Sequence, residues 1–422
     1  MEYISSKNIF LLLRDTLKLL DRRPMDHGSR VGYLFCKMLE CKGGYEQYEL
    51  ADFLMLATLH DIGAYKTDKM GDRLQYEFKE PMKHSVYGFL FLKYITPLSS
   101  MARMILYHRV GVENIPKENF EYSKETEILS LAEAAEIYHN ALGEGFDHEM
   151  FRRQEGTYYS TEALNLLDKA VDRFDVFKHL EDESYQNELD GILEYMIYTN
   201  EDKEKFMKTL MFCIGLRSDI TLIDNVTSVC IASLLAKKLN LTPASSEKLY
   251  YATLIHDIGM LSIPTNIIEA PRKLSPTEIA LMRAHVDREE RILLNRMDSD
   301  IVSIATAHHE RNDGSGYPRG LTSANMTREQ NILQIADLVT ALTCERSYRK
   351  TFTKNEVVDI LKKEISDGKI NQRIAECFMN SYDEIMTEVQ MQTKEALNMY
   401  NSLTEKYQTV YGDFEKNRVI HE

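Results

Sequence analysis

Proline and glycine are scarce: nine and 19 in 422 residues. So few chain breakers, beside many Leu, Met, Glu and Lys residues, argue against a loop-rich fold and favour helix over strand. Strand-like alternation is sparse as well. Apolar residues instead recur at helical spacing, as in Leu234, Leu235 and Leu239 followed by Tyr250, Leu254 and Ile255. The sequence predicts an all-α protein. Cysteine offers no disulfide framework. Cys36, Cys41, Cys213, Cys230, Cys344 and Cys377 lack paired spacing and read as reduced thiols of a cytoplasmic protein. No stretch reaches 18 apolar residues, so no membrane span is expected. The opening MEYISSKNIFLLLRDTLKLL reads as an amphipathic helix without a basic leader or a small-residue cleavage site. Positive charge is short too. Fifty-one Lys and Arg against 66 Asp and Glu leave a net charge of −15, which argues against binding polymeric nucleic acid. A small phosphate ligand stays compatible with it, provided bound metals or local arginines supply the positive charge. No convincing Ser or Cys nucleophile triad is present.

What is present is a duplication. The tetrapeptide His-Asp-Ile-Gly occurs at 60–63 and again at 256–259. Flanking segments repeat in the same order: 26–39 with 224–239, 82–95 with 283–297, 105–110 with 305–310, 129–137 with 333–342, and 158–167 with 351–362. With 44% hydrophobic residues, each half can bury its own core. The expected organisation is two tandem helical domains, 1–204 and 205–380, followed by an amphipathic helix at 381–422. Along that helix Ile385, Val389, Ala396, Tyr400, Leu403, Tyr407, Val410 and Phe414 recur at helical intervals. It either packs back on its own domain or pairs two chains into a homodimer.

The second copy carries the richer chemistry. HDIGMLSIP (256–264) is followed by His285, HHERNDGSGYP (308–318), Asp337 and ERSYRK (345–350). This series resembles the HD-GYP phosphodiesterases, a branch of the HD superfamily of metal-dependent phosphohydrolases, over roughly residues 215–380. Imidazoles and carboxylates in this mix suit iron, manganese or zinc better than calcium. His308 and His309 are expected on a helix with side chains about 100° apart, each serving one of two neighbouring cations. Asp257 can bridge such a pair. Two divalent cations about 3.5–4 Å apart activate water and clamp a phosphodiester for in-line attack. The resemblance implies His256, Asp257, His285, His308, His309 and Asp337 as metal ligands. It implies Arg346 and Arg349 as contacts to substrate phosphate, and Gly314, Gly316, Tyr317 and Pro318 as the loop at the edge of the site. Two iron or manganese ions are the expected cofactors. Glu310 either orients a ligating histidine or is solvated.

Three positions depart from the resemblance. Met260 stands where the family usually has lysine directly after HDIG, Ala270 stands for a second frequent lysine, and Asp224 aligns with an upstream ligand histidine. Aspartate can also ligate iron or manganese, so Asp224 is counted with the ligands.

The first copy keeps His27, His60, Asp61, His84 and His108, with Glu133 in the place of Asp337. The paired histidines become His108-Arg109, and GVENIP replaces DGSGYP. The Arg109 charge disfavours a second cation, so this unit is expected to hold at most one metal and to be regulatory or structural. The resemblance implies hydrolysis of a cyclic dinucleotide, cyclic di-GMP or 3′,3′-cyclic GMP–AMP, to the linear dinucleotide at the second site. Two rivals are an impaired cyclic-dinucleotide receptor, favoured by Asp224, Met260 and Ala270, and an HD-type nucleotide phosphohydrolase centred on the first site.

Overall fold

A computed structural model describes residues 3–67, 82–216, 218–344 and 351–417. Among these residues the regular elements are helices, with isolated bridges at Glu155–Tyr159 and Asp313–Thr322. The principal helices are α1 (Ser6–Lys18), α2 (Arg22–Lys42), α3 (Gln47–Thr58), α4 (Met82–Ile95), α5 (Arg103–Tyr107), α6 (Ser123–Leu142), α7 (Thr161–Phe174), α8 (Asn200–Gly215), α9 (Asp219–Lys238), α10 (Pro243–Ile255), α11 (Pro276–Leu293), α12 (Ser299–Ala305), α13 (Arg328–Thr343), α14 (Lys354–Ser366), α15 (Gln372–Asn380) and α16 (Tyr382–Asn417).

The chain divides into two compact units. The first comprises Asp21–Lys205 and Ser402–Glu422, the second Met1–Leu20 and Phe206–Asn401. Both termini are thus exchanged relative to a simple cut after residue 204. Helix α1 buries Ile9, Leu12, Leu13 and Leu17 and is tied into the second unit by polar contacts. Asn8 Nδ2 donates to the Arg296 carbonyl at 2.9 Å, and Arg296 pairs with Asp15 at 2.5 Å. The far end of α16 docks in the first unit, with Phe414 against Tyr107 (5.8 Å between ring centroids) and Tyr407 against Tyr87 (6.4 Å). Its apolar stripe is largely spent within the chain: Ile385, Val389, Tyr400, Leu403 and Phe414 are buried.

The units repeat one architecture. In the first, α2 packs on α3, α6 and α7. In the second, α9 packs on α10 and α13. The window Ile220–Lys238 in α9 is long and apolar enough to cross a membrane, yet 61% of it is buried within the protein. A strict apolar-run criterion passes over it because Asp224 and Asn225 interrupt the run. Start signals are explicit: Ser275–Glu278, Thr327–Gln330 and Thr353–Glu356 form reciprocal capping boxes, each cap contributing about 1 kcal/mol.

One glycine per unit fixes the fold around its site. A Cβ on Gly63 would lie 2.0 Å from the His84 carbonyl oxygen, and one on Gly259 would lie 2.0 Å from that of His285. The last residue of each HDIG must therefore be glycine, so that the helix bearing His84 or His285 can lie directly on the turn.

Candidate metal centres

His60, His108, His256 and His308 sit at or just beyond helix ends and His285 lies within α11, and in each case the backbone sets the tautomer. His256 Nδ1 meets the Thr253 carbonyl at 2.7 Å, His285 Nδ1 that of Met282 at 2.6 Å, and His308 Nδ1 that of Ala305 at 2.6 Å. In the first unit His60 and His108 do the same to Ala57 and Ile105, both at 2.6 Å. For the four at helix ends, the accepting carbonyls lack intrahelical donors and the ring N–H fills that role; for His285 the ring N–H is added to a carbonyl inside α11. The proton is held on Nδ1, and the Nε2 lone pair is turned inward.

In the second unit these lone pairs converge. His285 Nε2 and His308 Nε2 lie 3.1 Å apart, and neither has a hydrogen to give the other. Asp257 stands between the groups: Oδ1 is 3.6 Å from His285 Nε2 and 3.9 Å from His308 Nε2, while Oδ2 is 3.6 Å from His256 Nε2. His309 faces the other way in function, with Nδ1 3.3 Å from Asp337 Oδ2. Burial, reinforced by His309, lowers His285 to about 4, so it is neutral at cellular pH. Burial pushes the Asp337 carboxyl up, but His309 beside it prevails and holds it below the usual carboxylate range. Opposed lone pairs around a two-oxygen bridge form a donor set for divalent cations.

Several expectations change on contact with the structure. His308 and His309 are not splayed on a helix. Helix α12 ends at Ala305, and 3₁₀-type bonds such as Glu310 N to the Ala307 carbonyl (2.9 Å) tighten the chain. The two rings lie only 4.1 Å apart, and one ligand atom from each of His285, His308 and His309 falls within a 4.8 Å cluster. Glu310 is neither solvated nor a histidine's partner. It is buried and accepts from the backbone N–H of Arg319 (2.6 Å) and Leu321 (2.8 Å), clamping the far side of the loop. Asp224 is half-buried on α9 and is not among the groups these contacts join. Met260 is half-buried and Ala270 buried. Arg346 and Arg349 lie outside the described residues.

The 308–318 loop is shaped by its glycines. Gly314 adopts φ +80°, a left-handed conformation, and a Cβ on Gly316 would lie 2.3 Å from Arg311 N. The loop carries Tyr317 to 4.8 Å from the His309 ring, before a cis bond to Pro318. The Arg283 guanidinium lies over the Tyr317 ring, also at 4.8 Å. Sequence reasoning missed Arg283, although its place two residues before His285 was a usable signal.

The first unit repeats the scaffold with a different charge plan. His60, Asp61, His108 and Glu133 form a buried cluster. Asp61 Oδ1 lies 3.6 Å from His60 Nε2 and 3.5 Å from His84 Nε2, and Glu133 Oε2 lies 3.4 Å from His108 Nε2. Arg109, in sequence register with His309, enters the cluster itself: it meets Glu133 at 2.5 Å and Asp61 at 3.7 Å. Burial raises and Arg109 lowers the Glu133 carboxyl, leaving it at about 2. His27 is oriented by Glu136, which also binds Arg30. Glu136 is one helical turn beyond Glu133 and was not singled out from sequence. Burial pulls His27 down, but its bond to Glu136 raises it above its ordinary value. The Nε2 atoms of His27, His60, His84 and His108, with Asp61 Oδ1, are buried without a hydrogen-bond partner. That donor set fits one divalent cation, and the fixed guanidinium stands in for a second.

Known proteins match this reading of the scaffold. Residues 213–374 match the family described as HD domain. Over 402 residues, 88% of this chain and 90% of the other, the protein is 27% identical to the 3′3′-cGAMP-specific phosphodiesterase 1 of Vibrio cholerae. It is 33% identical over 133 residues to the 3′3′-cGAMP-specific phosphodiesterase 3 of the same organism, covering 31% of this chain and 29% of that protein. A cyclic di-GMP phosphodiesterase of Pseudomonas aeruginosa is 30% identical over 142 residues, 33% of this chain and 34% of that protein. The fold is shared with a crystal structure of a cyclic GMP-AMP specific phosphodiesterase of V. cholerae. The TM-score is 0.56 at 16% identity, covering 94% of this chain and 98% of that one.

Proposed function

We propose, from the premise that this chain carries an HD domain of the HD-GYP branch, that its second unit hydrolyses a 3′,5′-phosphodiester bond of a cyclic dinucleotide to give the linear dinucleotide. The observation that carries the reading is the 3.1 Å approach of His285 Nε2 and His308 Nε2, both with Nδ1 committed to backbone carbonyls. His256, Asp257, His285, His308, His309 and Asp337 would hold two cations, iron or manganese by their donor chemistry. Bound there, the metals would supply Lewis acidity and a water nucleophile at neutral pH. The protein's part is orientation. The carbonyl-anchored imidazoles keep fixed lone pairs, Asp257 presents two oxygens to different partners, and Glu310 holds the loop that places Tyr317 at the rim. Arg283, stacked on Tyr317, adds positive charge where an anionic substrate enters. The hybrid 3′,3′-cyclic GMP–AMP comes first among substrates, because the relative with that specificity matches nearly the whole chain. The six cysteines form no disulfide, and four of them are buried, as suits the cytoplasm.

The test is direct. Protein loaded with manganese or iron is incubated with 3′,3′-cyclic GMP–AMP and with cyclic di-GMP, and linear product is followed chromatographically. The hybrid is expected to turn over faster. No product from either, with metal occupancy verified, would defeat the assignment.

A further inference from the structure

The first unit has a feature that its loss of a second cation does not explain: two cavities flank its cluster. One, of about 330 Å³, opens at Arg109 and Glu133 and is walled by Ile137, Tyr138, Tyr158 and Tyr159. The other, of about 450 Å³, lies on the His27 and Asp61 side and is lined by Arg23, Arg30 and Asn140. Ile137 and Ala141 border both. We propose that the first unit is a separate ligand site for a nucleoside 5′-monophosphate, with the base held in the tyrosine-walled cavity and the phosphate directed to the buried histidine–carboxylate cluster.

The cavity is constructed by the segment that replaces the second unit's loop. Val112 N donates to the Tyr158 carbonyl at 3.1 Å, pinning the 154–159 turn against that segment. Gly111 permits the approach: a Cβ there would lie 2.6 Å from the Thr157 carbonyl oxygen. Tyr158 N donates to the Gln154 carbonyl at 3.0 Å, and Gly156 N to that of Tyr159 at 2.8 Å, so the turn is formed before any ligand arrives. It delivers two consecutive tyrosines, and Tyr158 and Tyr138 remain 54% and 40% exposed. Exposed rings over a cavity that ends at Arg109 and a metal-ready cluster suit a flat aromatic group joined to a phosphate. The size sits at the low end of the roughly 300–1,000 Å³ of small-molecule pockets, which favours a mononucleotide over a dinucleotide. Arg109 occupies the place where the second unit offers His309, so the ligand is retained rather than cleaved.

This inference does not depend on turnover at the second unit, and its test is a binding measurement. The manganese-loaded full chain carrying Asp257→Asn, which impairs the second site alone, is titrated calorimetrically with GMP, AMP and inorganic phosphate. One nucleotide should bind per chain, more tightly than phosphate. Adding Tyr158→Ala should weaken it about tenfold, because base–aromatic stacking contributes about 1–3 kcal/mol, without altering thermal melting. Tyr138→Ala provides the same reading from the opposite wall. The proposal is overturned if no nucleotide binds, if phosphate binds as tightly as GMP and AMP, or if both tyrosine variants keep full affinity.

Discussion

The two HDIG sites share a scaffold and differ in how they balance charge. Both use a helix-end imidazole anchored on a carbonyl, a carboxylate next to it, and a glycine that lets the next helix lie on the turn. The second unit then adds His309 opposite Asp337 and, on the proposed reading, leaves the remaining balance to exchangeable cations. The first adds Arg109 opposite Glu133, a cation that cannot leave. On the proposed reading, one substituted position therefore separates a centre for a metal pair from one for a single ion. The same stretch of chain also separates a loop that brings Tyr317 to the metal side from one that recruits Tyr158 and Tyr159.

The sharpest way to break this contrast is to remove equivalent histidines. His308→Ala should reduce cyclic-dinucleotide turnover by at least about 10²-fold, the upper end of what loss of a mere outer partner costs a metal site. His108→Ala should leave turnover within a few-fold while lowering bound metal by one ion per chain. Steady-state kinetics and elemental analysis on the same preparations check both. Equal loss from either substitution would show that the sites are not divided in role as argued.

Next in size is the internal cation. Arg109→Met leaves Glu133 and Asp61 buried without their guanidinium. Removing one partner of a buried pair costs about 3–5 kcal/mol, so metal-free protein should lose stability on that scale in urea denaturation. Manganese should recover part of it by occupying the vacated charge position. An unchanged denaturation midpoint would mean that the arginine is not what balances the cluster.

Much of this was readable in the sequence because the relevant signals are local. The duplicated tetrapeptide, the helical periodicity and the break from His-His to His-Arg are visible in one dimension, and they led to an all-α chain with two unequal sites. Other features depend on three-dimensional closure. The exchange of α1 and the end of α16 is set by which core buries their apolar faces, and amphipathicity alone does not name a partner. The tight pairing of His308 and His309 depends on where α12 stops. Glu310 reads as a generic acidic residue until the loop folds back and presents two backbone N–H groups to it. Glu136 and Arg283 act through neighbours, a role that residue type does not announce.

The smallest expected effect concerns the position four residues after His84 and His285, where the first unit has Gly88 and the second has Glu289. Gly88 lies close to the His60 carbonyl, its missing Cβ 3.4 Å from that oxygen. Glu289 is fully buried, and neither carboxylate oxygen has a hydrogen-bond partner. Burial, then Asp257 and Glu290, raise its carboxyl well above the ordinary value of 4.5. The folded chain therefore holds a proton there that the unfolded chain releases. Stability from this group is fully present below pH 4.5 and is lost as pH rises through the folded value. An unsatisfied buried polar group costs about 1–3 kcal/mol, and an apolar replacement of similar shape removes that cost. Glu289→Met should thus stabilise the metal-free protein by about that amount at pH 8 and by less at pH 5, as read from urea midpoints at the two pH values. A gain that is absent, or independent of pH, would mean that Glu289 has a partner in solution and that the second unit's core tolerates this carboxylate without strain.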